Sequence, residues 1–72
     1  MTIEAMENKF CRKVSEIRLR KNISLEELAR RSGLPMNMLE ALERGVIPEE
    51  MMVDDAFDLA RVFQCKVYEL FE

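Results

Sequence analysis

Three aspartates, Asp54, Asp55 and Asp58, and two cysteines, Cys11 and Cys65, come nearest to a reactive arrangement in this chain. Paired carboxylates can divide general acid and base duties, and a cysteine beside a base can act as a nucleophile. Neither condition is met. On a helix Asp54 and Asp58 are neighbours at i and i+4, the spacing of a solvated face. There is no histidine, no glycine-rich phosphate loop, and no serine or cysteine with an activating neighbour. The cysteines lie far apart, and Cys65 falls in the run VFQCKV, which should pack inward with the thiol as a small hydrophobe. The expectation is a non-enzyme with no cofactor, metal site or disulfide.

The most strongly marked stretch is residues 24–45, SLEELARRSGLPMNMLEALERG, which reads as two short helices around a glycine turn. Ser24 and Glu27 form a capping-box pattern, so a helix should begin at Leu25. Leu28 and Ala29 supply its apolar face, and Gly33 offers the positive-φ position that ends it. Pro35 presets φ for the first turn of a second helix, Met38, Leu39 and Leu42 recur at helical spacing, and Gly45 closes it.

Other helices must brace this pair. From Thr2, an N-cap type, to Lys21, the apolar residues Ile3, Met6, Phe10, Val14 and Ile17 are spaced three or four apart, marking one helix face. Ile23 can act as a hydrophobic staple at the start of the next helix. Residues 46–50 form a loop, with Pro48 barring helix continuation. A fourth helix is expected over Val53–Phe63, with Asp54 and Asp55 favouring its N-terminal dipole and Ala56, Leu59, Ala60 and Phe63 facing inward. A last short helix over Val67–Phe71 should cap the core with Val67, Leu70 and Phe71.

With 72 residues, 49% of them hydrophobic, and no alternating strand pattern, the chain should form one all-α domain spanning residues 1–72. No apolar run approaches the roughly 20 residues of a bilayer span, and no signal-peptide pattern opens the chain, so a cytoplasmic protein without a membrane partner is expected. The net charge is −3 and unevenly spread: residues 1–22 carry +3, residues 23–45 carry −1 and residues 46–72 carry −5. Long-range attraction to a polyanion is weak for such a chain, and phosphate binding would rest on a local basic face.

Ile17-Arg18, the run SLEELA, Gly33-Leu34 at the turn and the run LEALERG together resemble the Cro/C1-type (phage-repressor-like, XRE) helix-turn-helix family, over residues 14–71. The resemblance implies a compact five-helix bundle of the lambda-repressor-like type and a sequence-specific transcriptional regulator that binds double-stranded DNA as a homodimer, its dimer surface around Tyr68 and Phe71. Carried over by position, Met36, Asn37, Met38, Glu40 and Ala41 would face base edges, and Arg20, Lys21, Arg31 and Arg44 the phosphates. Arg18 and Glu43 would form a largely buried ion pair, whose breaking would cost about 3–5 kcal/mol and unfold so small a domain.

The chain departs from the family pattern at several points. The loop before the fourth helix is about two residues longer, and Gln64 replaces a frequent glycine. The reading positions lack the usual serine, threonine, arginine or glutamine, and Leu25 stands where glutamine is common. These departures support an alternative: Met36 and Met38 with Leu25 and Ala41, extended by Met51 and Met52, would form a surface for a protein partner on a module that has lost operator readout.

Overall fold

Phe10, Cys11, Val14 and Ile17 recur on one side of a helix, and in the folded chain that side is closed, none of the four being more than 6% exposed. The computed structural model describes the backbone from Ile3 and the side chains from Lys9; the expected cap at Thr2 and the inward positions of Ile3 and Met6 lie outside the described residues. Helix α1 spans Ile3–Arg20, α2 Leu25–Ser32, α3 Met36–Glu43 and α4 Val53–Phe63, and a 3-10 helix follows over Val67–Phe71. The described residues contain no strand. At a rise of about 1.5 Å per residue, the 18 residues of α1 make it the longest helix among the described residues and the spine of the bundle. It packs against α3, α4 and the 3-10 helix, while α2 packs against α3 and α4. Leu28, Leu39, Leu42, Leu59, Phe63 and Leu70 fill the space between them.

The fifth helix is 3-10 rather than α. Five residues are too few to repay the cost of nucleating α-helix, and the tighter i→i+3 turn suffices to seat Leu70 in the core. The Glu69 carboxylate accepts from the Lys66 N–H at 2.7 Å and fixes its start. Phe71 is not fully enclosed: one face stacks on Phe10 with centroids 4.9 Å apart, and the residue remains 47% exposed.

Every α-helix ends on a residue with positive φ. Gly33 (φ 80°) closes α2 by donating its N–H to Ala29 O. Asn22 (φ 57°), Gly45 (φ 84°) and Gln64 (φ 58°) each follow a helix in a Schellman arrangement, the next residue's N–H reaching back to Arg18 O, Ala41 O and Ala60 O respectively. Asn tolerates this conformation and glycine adopts it freely, whereas Gln64 does so against the steric preference of its Cβ.

The longer loop after α3 is spent on a turn in which the Met51 N–H donates to Pro48 O, placing Ile47 and Met51 against the core. The Asp55 carboxylate then accepts from the Met52 N–H at 2.9 Å, setting the first residue of α4 where the sequence pattern places it.

Arg18 joins three parts of the chain. Its Nε donates to Glu43 Oε1 at 2.9 Å and its Nη1 to Ile23 O at 2.8 Å, tying the last turn of α1 to the α1–α2 corner and to the end of α3. The side chains are 14% and 27% exposed, so the pair is wetter than a largely buried one and its loss costs less than the sequence suggests. In denaturant melts Arg18→Ala, which removes both bonds, should lower stability by about 2–3 kcal/mol, and Glu43→Ala, which leaves the bond to Ile23 O, by about 1–2 kcal/mol. Relieving the left-handed strain with Gln64→Gly should add about 1 kcal/mol, visible as a rise of roughly 4–8 °C in Tm.

Candidate nucleic-acid interface

The helix pair at residues 24–45 places its polar side chains through four local devices. Ser24 Oγ accepts from the Glu27 N–H at 3.0 Å, forming half of the expected capping box; the Glu27 carboxylate takes a bond from Arg31 at 3.4 Å instead. Ser32 is buried, and its Oγ accepts from the Leu34 N–H at 3.2 Å, which holds the turn. Leu34 is 7% exposed and pins the turn to the core. Pro35 is extended (ψ 146°) and sits just before α3 rather than in its first turn, its carbonyl accepting from the N–H groups of Met38 and Leu39.

Helix α3 buries Met38, Leu39, Ala41 and Leu42, at 5%, 1%, 7% and 2% exposure. Two of the five expected base-reading positions, Met38 and Ala41, belong to the core-facing side of the helix. What remains outside is a narrow stripe. Asn37, Glu40 and Arg44 are exposed at spacings of three and four, with Met36 half-buried beside them. The ion pairs among the described residues engage neither Glu40 nor Arg44.

The two helix starts differ electrically. Helix α2 opens with Glu26 and Glu27 behind the Ser24 cap, so its dipole is already answered. Helix α3 opens with neither a side-chain cap nor an acid in its first turn, leaving N–H groups directed outward.

The phosphate candidates fall into two groups. Arg31 and Arg44 belong to the helix pair, Arg31 being shared with Glu27. Arg20 and Lys21 line a cavity of about 270 Å³ with Lys13, Phe63, Gln64, Cys65, Glu69 and Glu72, to which neither α2 nor α3 contributes a side chain. Lys13 stands seven residues before Arg20 on the same helix face, one of the charged positions that the sequence sets opposite the apolar stripe of α1. Arg30, which the sequence does not single out, borders a shallow hollow with Ser24, Glu26 and Glu27. Burial, with help from Glu69, pushes the Cys65 thiol up, Lys21 pulling it back in part, so it stays protonated near neutrality. No helix among the described residues is long and apolar enough to cross a membrane.

A family model described as helix-turn-helix matches residues 14–70, which covers α2, the turn, α3, α4 and all but the last residue of the 3-10 helix. No curated protein and no solved structure matches the chain.

Neighbouring substitutions on α3 separate core from surface. Met38→Ala should cost about 2–4 kcal/mol as a cavity mutation, whereas Asn37→Ala should stay within about 0.5 kcal/mol of the parent, both read by chemical denaturation.

Proposed function

The chain belongs to the Cro/C1-type helix-turn-helix family of DNA-binding transcription regulators, a lambda-repressor-like fold, and from that membership we propose that it reads duplex DNA sequence through a reduced set of side chains on α3. The observation that carries this reading is the outward stripe of Asn37, Glu40 and Arg44 on the second helix of the motif. With that helix in the major groove, Asn37 pairs with an adenine edge and Glu40 accepts from a cytosine amine. Met36 meets a thymine methyl, and Arg44 takes a phosphate at the helix end. The uncapped N-terminus of α3 adds N–H donors where the helix enters the groove.

The alternative, a protein-binding surface of Met36, Met38, Leu25 and Ala41 extended by Met51 and Met52, keeps Met36 half-exposed and Met52 exposed but is weakened on the recognition face itself. Met38 and Ala41 are buried, and Leu25 packs against the core. That face is polar and narrow, which suits base edges better than an apolar partner.

Selection from random duplex DNA at low salt should enrich a short motif containing adenine and cytosine contacts. The enriched sites are expected as pseudo-palindromes bound by a homodimer, with half-sites about one helical turn apart. Asn37→Ala should cost about 1–3 kcal/mol at one base position, while Arg44→Ala should weaken all sequences alike. With Arg31 and Arg44 as the phosphate contacts, log Kd against log salt should have a slope of roughly 1.8 in magnitude, against roughly 3.6 if Arg20 and Lys21 also touch the backbone. Absence of any enriched sequence, with a flat salt dependence, would sink the proposal.

A further inference from the structure

The cavity of about 270 Å³ between α1 and the C-terminal segment has two walls of opposite charge. Lys13, Arg20 and Lys21 line it from α1 and the residue beyond, Glu69 and Glu72 from the 3-10 helix and the residue beyond. Ion pairs among the described residues engage none of the five, so the two walls share the cavity without joining across it. Lys21 and Glu69 nonetheless act on the Cys65 thiol in opposite senses, so charge of both signs reaches the same lining residue. Buried Ile17 and Phe63 supply an apolar base. Gln64 lines the cavity from the left-handed region (φ 58°), where glycine would sit without strain. Strain of this kind collects at ligand sites, and an amide side chain brings both donors and an acceptor.

The lining charges select the ligand. Three cations against two carboxylates leave one positive charge in excess, which a molecule with one negative charge in excess answers. Lys13 and Arg20 are two turns apart, roughly 10 Å along α1, a separation that suits two anionic groups rather than one. On the other wall the Lys66 N–H holds the Glu69 carboxylate at 2.7 Å, which makes it a fixed acceptor for an ammonium group. A simple anion meets repulsion from Glu69 and Glu72, and so does the backbone of a duplex read by α3, which contributes nothing to the lining. The volume falls just below the range of about 300–1,000 Å³ usual for small-molecule sites, which calls for a compact molecule.

We propose that this cavity binds a small amino acid with two anionic groups, held at those groups by Lys13, Arg20 and Lys21, at its ammonium by Glu69 and Glu72, and by the Gln64 amide between them. The test is isothermal titration of the full chain, without DNA, at low salt. L-Glutamate, L-aspartate and O-phospho-L-serine are the probes; glutarate, which lacks the ammonium, and L-glutamine, which lacks the second anionic group, are the controls. At least one probe should bind about tenfold tighter than both controls. The double variant Arg20→Gln, Lys21→Gln should weaken it about tenfold with an unchanged melting curve, both side chains being exposed. Glu72→Gln should weaken the amino acid about threefold and leave glutarate no weaker. Gln64→Gly should weaken binding about threefold while raising Tm, which separates a lost contact from lost folding. Arg61→Gln, away from the cavity, should change nothing. Silence from all three probes, glutarate or L-glutamine binding as tightly as the best probe, or indifference to the cavity variants would overturn the proposal. So would duplex binding that Arg20→Gln, Lys21→Gln weakens while no amino acid binds, since the cations would then serve the phosphate backbone.

Discussion

The direction in which α3 points depends on the Arg18 guanidinium. Apolar burial holds the helices together but is non-directional, and Leu39 and Leu42 could satisfy it in several rotations of so short a helix. The hydrogen bonds from Arg18 to Glu43 and Ile23 O remove that freedom. Ile23 is held twice, because its N–H also returns to Arg18 O in the helix-ending turn. The end of α1, the corner before α2 and the last residue of α3 are therefore tied together. At its partial exposure the ion pair adds little to stability beyond its hydrogen bonds, and its larger effect is on orientation.

That constraint explains why so few side chains are left to read DNA. Helix α3 has eight residues, and four of them, Met38, Leu39, Ala41 and Leu42, are buried. Glu43 is committed to Arg18. The side chains left outside on this helix are Met36, Asn37 and Glu40, with Arg44 just beyond. The polar vocabulary of the face is small because the helix is both a wall of the core and a probe of the groove.

The fold was legible where local chemistry decides the conformation. Ser24, Gly33 and Gly45 marked helix ends by capping and positive φ, and the acid pair at Asp54 and Asp55 with the apolar stripe after it gave α4 its bounds. The family resemblance found the partners Arg18 and Glu43 across a separation of 25 residues, which no local pattern could have done. Met38 and Ala41 were misplaced because the buried sector of a two-turn helix is set by how many neighbours enclose it, here α1 and α2 together, and periodicity does not report that number. Arg20 and Lys21, at the end of α1, are near the motif in sequence, yet both line the cavity beside the C-terminal segment, a placement that no local pattern reports. Pro35 shows the one-residue ambiguity of helix starts, since its φ suits both the first helical position and the one before it.

An overall charge of −3 is a poor guide to what α3 meets. Screening confines the influence of an exposed carboxylate to about 8 Å at physiological ionic strength, and the molecule is at least 20 Å across in every direction. The acids of the last 27 residues, a stretch that carries −5, belong to the loop after α3, to α4 and to the C-terminal segment and act mainly there. Near the motif the balance is set by Glu26, Glu27 and Glu40 against Arg30, Arg31 and Arg44. Glu27 and Arg31 answer each other at 3.4 Å, and Glu26 is answered by the start of its own helix. Under the proposed reading, Glu40 is then the one acid on the face that DNA itself must satisfy. It repels phosphate wherever it finds no donor and is neutralised by hydrogen bonding only opposite a cytosine amine. An acid that weakens general binding thereby sharpens the difference between the right sequence and the rest.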